Sequence, residues 1–181
     1  IYQNEINIES GFEGEEDDWL SNFSDNPIEW FTQYNIRFAA SHMNFLPKAF
    51  IALPRNIKAL QETIDKLPAG DASLRDLQKK LENLQRKFEY VKEAVHTYTS
   101  ENFDQLSPLQ KSLHEKAFCN NSKDPDYRSL ETFNYKEGGT KRDMQIPKGD
   151  VLFQLREDVK QNKLPTVSWV VAPSNFSDHP G

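Results

Sequence analysis

Asp178 and His179 are the residues best suited to chemistry, standing in the polar stretch SNFSDHPG directly after the apolar run SWVVAP. An imidazole titrates near neutrality, so it suits proton transfer or hydrogen-bond donation at a reacting group. An adjacent carboxylate can orient that ring. The same two residues can equally brace a turn through hydrogen bonds, and residue type alone leaves both roles open.

Other candidates are weaker. HEKAF, residues 114 to 118, begins like the H-E-x-x-H zinc signature but has Phe118 where the second histidine is required. His42, His96 and His114 therefore read as packing or surface residues. The acidic stretch GFEGEEDDW, residues 11 to 19, lacks the D-x-D-x-D-G alternation that wraps calcium and reads as a solvated loop. A single cysteine, Cys119, excludes an internal disulfide framework and a thiolate-rich metal site.

The elements around these residues follow from periodicity. IYQNEINI alternates apolar and polar positions as a short strand does. NPIEWFTQYNIRFA suits a helix with Pro27 in its first turn, and its neighbourhood supplies Trp30, Phe31, Tyr34, Phe38 and Phe45 for packing. Phe50, Leu53, Ile57, Leu60, Ile64 and Leu67 recur at steps of three and four, as do Leu74, Leu77, Leu81, Leu84, Phe88, Val91 and Val95. Two such seams joined by LPAGDAS predict an antiparallel helical hairpin, with Ser73 and Asp76 as a capping box and Pro54 kinking or delaying the first helix.

Beyond the hairpin, Ser107 and Pro108 open a helix through LQKSLHEKAF, and Gly138-Gly139 centres a β-hairpin in TFNYKEGGTKRDMQI. A further helix holds Val151, Leu152, Leu155 and Val159 on its inner side. TVSWVVAP, apolar without alternation, predicts a strand covered on both faces, as in a parallel α/β sheet. In such sheets ligands sit outside the carboxyl ends of strands, which is where SNFSDHPG falls. The expected organisation is a strand, acidic loop and aromatic helix over 1–46, a helical hairpin over 47–105, and a helix, β-hairpin, helix and buried strand over 106–181.

Composition narrows the partners. The 181 residues carry a net charge of -6, which offers no footprint for nucleic acid or an anionic membrane. Only 36% of residues are hydrophobic against 28% charged, which suits a loosely packed or elongated body, and no run is long enough to span a bilayer. The chain opens on IYQNE without an initiating Met, so both ends are expected to be cut edges of a longer protein.

The stretch GDVLFQLREDVKQNKLPTVSWVVAPSNFSDHPG, together with IYQNE, GFEGEEDDWL, DNP-x-EWF and LHEKAF, resembles the bacterial phosphocholine-preferring phospholipase C enzymes, relatives of certain acid phosphatases. The pattern K-L-P-x-V-S-W-x-V-A-P followed by S-[DE]-H-P is its most specific part. The resemblance implies an alkaline-phosphatase-like α/β phosphoesterase in which a Ser or Thr hydroxyl beside a divalent metal attacks a phospholipid phosphodiester. It places His179 at the active site with Asp178 as neighbour, and implies a secreted or periplasmic parent. The family's E-N-R-S-F-D-H stretch, its nucleophile and its D-E-N-D-G stretch are absent from these residues, so the metal ligands are expected outside them and the isolated chain is expected to be inactive. A second expectation, from the heptad seams alone, is an interaction module without catalytic role.

Overall fold

The computed structural model describes residues 1–5, 15–22, 26–68 and 70–176, with the side chains of 15–17 excepted. The chain is mixed α/β and divides into two compact units, one of residues 1–39 and 106–181, the other of residues 40–105.

The second unit is a helical hairpin. Helices α2 (Ala40–Asp65) and α3 (Leu74–Thr97) pack on each other, Leu53 and Val91 of the heptad seams joining Leu46, Ala49 and Ala94 in the buried core, while Phe50 of the expected seam is exposed. Phe45, Leu84, Phe88, Tyr90, Val95 and Tyr98 close over it. Burying such side chains contributes roughly 1.5–3 kcal/mol each and outweighs helix propensity. His42 is fully buried here, its Nε2 3.0 Å from the Tyr90 hydroxyl and its ring against Phe45 and Tyr98.

Two local expectations need correction. Pro54 does not delay α2, which begins at Ala40 and carries both Pro47 and Pro54 inside it. Ser73 makes no capping bond to α3; instead its N–H and hydroxyl donate to the Asp71 carboxylate at 2.8 and 2.6 Å. The Asp two residues earlier wins because an Asx turn forms locally without any helix to cap. Gly70, at φ 89, turns the chain just before it. Short helix α4 (Ser100–Asp104) follows, capped by Thr99.

In the first unit, strand β1 (Tyr2–Gln3) pairs in parallel with β4 (Val170–Val171), Tyr2 opposite Val170 and Gln3 opposite Val171. A parallel bridge joins Tyr2 to Cys119 on another segment, and a further one joins Glu5 to Ser21, just past helix α1 (Glu15–Leu20). Residues 15–19 of the expected acidic loop are thus helical, and 11–14 lie outside the described residues. Helix α5 (Pro108–Ala117) has the full capping box of Ser107 and Gln110, and packs Ala117 and Phe118 against Ala39, Ile28, Tyr34 and Ile36. His114 is buried, with Nδ1 3.0 Å from the Tyr34 carbonyl, and burial lowers its pKa.

The aromatic helix expected from Pro27 onward is instead three successive 3-10 turns, Pro27–Trp30, Thr32–Tyr34 and Ile36–Phe38. Asn35 at φ 54 interrupts the run, because a left-handed residue cannot continue a right-handed helix. Trp30 and Phe31 consequently face solvent and are not core.

Strands β2 (Leu130–Glu137) and β3 (Thr140–Pro147) form the expected antiparallel hairpin, with Glu137 opposite Thr140. Gly138 and Gly139 close it at φ 54 and 84, both positive as a type I′ turn requires. The turn before β2 is fastened to residues after β3: the Asp124 carboxylate accepts from the Asp126 and Asp150 N–H groups at 2.9 and 2.7 Å, and Lys148 pairs with Asp126. Gly149 lies in that fastening, where a Cβ would meet the Asp126 carbonyl oxygen at 2.8 Å and Asp124 Oδ2 at 3.0 Å. Gly149→Ala is expected to cost about 1–3 kcal/mol, the usual range for overpacking, read as a lowered thermal midpoint; an unchanged midpoint would show that the turn yields freely.

Helix α6 (Phe153–Lys160) is shorter than the sequence suggests, and Val159 is exposed, not inward. The larger correction concerns TVSWVVAP. Val167 is 80% exposed, Trp169 56% and Val170 45%, so among the described residues this strand is not covered on both faces. No helix among the described residues is long and apolar enough to cross a membrane.

Candidate functional site

Because β1 and β4 run in parallel, their carboxyl ends share one edge, and the segments continuing from them are tied together there. The Asn22 N–H donates to the Glu5 carbonyl at 3.2 Å, Asn22 bridges to Pro173, and the Ser174 N–H donates to the Ser21 carbonyl at 2.9 Å, with the Ser174 hydroxyl adding a second bond at 3.3 Å. The 3-10 turn Ser174–Phe176 then leads to residues 177–181. Trp19 of α1 meets Phe176 edge to face, ring centroids 5.5 Å apart. Asp178 and His179 themselves lie outside the described residues; the last described residue before them belongs to this tied edge.

What supports the edge is polar, which is unusual for a buried strand. Gln3, Asn4, Glu5, Ser21, Asn22, Asn26 and Asn121 are each at most 3% exposed. Such burial is tolerated only when hydrogen bonds replace water. Gln3 Oε1 accepts from the Asn22 and Asn26 side-chain amides at 3.2 and 2.9 Å, and Asn22 also donates to Glu29. Asn121 donates to Asn4 Oδ1 at 3.0 Å and to the Val151 carbonyl at 2.7 Å, while its own Oδ1 accepts from the Gln154 N–H. Gln154 and the Tyr2 hydroxyl both donate to Asp158. Burial first, then Asp158, pushes the Tyr2 phenol above its ordinary range. Tyr127 donates its hydroxyl to the Glu5 carboxylate and lies 3.0 Å from the Asn4 carbonyl oxygen.

Sequence reasoning missed every member of this network. The one legible signal was Y-Q-N-E itself, three consecutive polar residues in a segment expected to be a short strand. At this edge the buried Gln3 Nε2 and Ser21 Oγ have no hydrogen-bond partner among the described residues. Unpaired buried donors cost about 1–3 kcal/mol each.

Cys119 is half-buried beside β1, and burial raises its thiol pKa, which makes it a poor nucleophile. A divalent metal finds no cluster of His, Cys, Asp or Glu suited to it among the described residues, so no step is routed through one here.

Comparison with curated proteins and with solved structures finds no match. The model of the Phosphoesterase family does match, over residues 79–181, a span that includes α5, the β-hairpin, α6, β4 and the SDHP stretch. With more than half of its length matched, and with that match running through the segment tied to the carboxyl edge of β1 and β4, the chain belongs to the Phosphoesterase family, whose members are hydrolases of phosphoester bonds.

Proposed function

We propose that this chain is part of a phospholipase C-like phosphoesterase that hydrolyses the phosphodiester of phospholipids such as phosphatidylcholine, built on an alkaline-phosphatase-like fold. The observation that carries the reading is the family match, which includes the SDHP stretch, joined to a parallel strand pair at whose carboxyl edge Ser174, just before that stretch in sequence, is held. His179 acts there on the phosphate, donating to a phosphoryl oxygen or protonating the leaving oxygen, and Asp178 orients the ring. A hydroxyl nucleophile and divalent metal ligands come from residues outside this chain, so the chain by itself is inactive. The same resemblance makes the parent a bacterial enzyme, secreted or periplasmic, whose partner is the phospholipid head group. Full-length protein added to phosphatidylcholine vesicles should release phosphocholine. Release of free choline, or no release, is the result against this reading.

A further inference from the structure

We infer that Glu5 and Tyr127 form a positioning pair for the phosphoesterase site, the tyrosine clamping the carboxyl end of β1 and thereby the ladder from which the His179 stretch departs. The inference rests on the reading of the carboxyl edge as the site given under Proposed function.

The geometry is specific. Tyr127 comes from the turn before β2, and its hydroxyl reaches two groups more than a hundred residues away in sequence, the Asn4 carbonyl at 3.0 Å and the Glu5 carboxylate. Glu5 is 1% exposed, so its carboxylate depends on protein donors in place of water. The Glu5 backbone is meanwhile the first rung of the lateral ladder. Its carbonyl takes the Asn22 N–H, Ser21 is its bridge partner, and the Ser21 carbonyl takes both the N–H and the hydroxyl of Ser174. A shift at Glu5 is therefore handed across two hydrogen-bonded segments to Ser174, five residues before His179. Displacements of about 1 Å at a reacting group are enough to cost on the order of 10²-fold in rate.

Burial and the neighbouring Glu5 carboxylate push the Tyr127 phenol far above its ordinary range, so it remains a donor under ordinary conditions. The turn holding Tyr127 is itself fastened by Asp124 and by the Asp126–Lys148 pair, so the donor arrives on a fixed support. A satisfied carboxylate at this place, on a strand end, has no packing purpose that a leucine would not serve better.

The test uses full-length protein with phosphatidylcholine vesicles as probe and phosphocholine release as the readout. It compares wild type, His179→Ala, Glu5→Gln, Tyr127→Phe and the double variant of Glu5→Gln with Tyr127→Phe, each shown folded by circular dichroism well below its midpoint. Glu5→Gln keeps an oxygen that accepts from Tyr127 and should lose less than about threefold in kcat. Tyr127→Phe takes one donor from a buried carboxylate and can fail to fold; the double variant also removes that charge and is expected to fold, yet lacks the clamp. Its kcat should fall about tenfold below that of Glu5→Gln, with KM within twofold, since a displaced group weakens the transition state more than substrate binding. Equal kcat for Glu5→Gln and the double variant, with His179→Ala inactive, overturns the clamp alone. Full activity in His179→Ala, or no hydrolysis by wild type, overturns the site reading on which it rests.

Discussion

Val91→Asp is expected to unfold the helical unit of residues 40–105. Val91 is fully buried on α3, in one core with Leu46, Ala49, Leu53 and Ala94, and no cation stands among those core residues. A carboxylate placed there is either ionised without a partner or protonated at a cost, and an uncompensated buried charge is worth about 3–5 kcal/mol. That is a large fraction of the stability a small two-helix unit can hold. Far-ultraviolet circular dichroism should show lost helicity, and limited proteolysis should cut within 40–105. Leu60→Asp supplies the contrast, since Leu60 is only half-buried and its carboxylate can reach water, so a smaller loss is expected. A Val91→Asp protein that melts like wild type would mean that the two seams do not pack as described.

His179→Ala in the full-length protein is expected to lower kcat by roughly 10²-fold or more, the range for losing general acid help. The chain fold should be spared, because the buried edge is already held by bonds among Gln3, Asn4, Asn22, Asn26, Asn121 and Tyr127. His179→Gln and His179→Asn separate proton transfer from hydrogen bonding: an amide can replace a hydrogen bond but cannot transfer a proton, so retained activity would exclude the leaving-group acid role. Two phosphodiester substrates whose leaving groups differ in pKa separate the chemical roles. A leaving-group acid matters least for the better leaving group, whereas a donor to the phosphoryl oxygen penalises both about equally. Asp178→Asn should cost less than loss of the histidine.

The contrast between what sequence revealed and what it hid has a physical basis. The helical hairpin was legible because two seams of Leu, Ile, Phe and Val impose a period that no other element shares, and the β-hairpin because Gly138 and Gly139 supply the positive φ its turn needs. The Ser107 N-cap was legible from its Ser-Pro pair, although its reciprocal bond with Gln110 was not. The 3-10 turns of 27–38 were not, since Asn35 entering left-handed φ is decided by what surrounds it. Ser73 was misread because Asp71 competes for its donors over two residues, a contest that helix signals do not register.

The site's support was hidden for a deeper reason. Gln3, Asn4 and Glu5 are buried because partners such as Asn22, Asn121 and Tyr127 reach them, and those partners lie 19, 117 and 122 residues away. Periodicity reports which positions meet water or oil, and a polar residue satisfied at long range looks to it like a surface residue. The SDHP stretch drew notice by its residue types, while the groups that hold the edge carrying it left only the brief Y-Q-N-E signal.

The most direct test of the whole account is to let full-length protein act on phosphatidylcholine vesicles in water carrying heavy oxygen and to follow the products by phosphorus NMR. Hydrolysis by attack at phosphorus predicts phosphocholine whose phosphoryl group carries the heavy isotope, seen as a shifted resonance. Phosphocholine without the label, or no phosphorus-containing product at all, would contradict it.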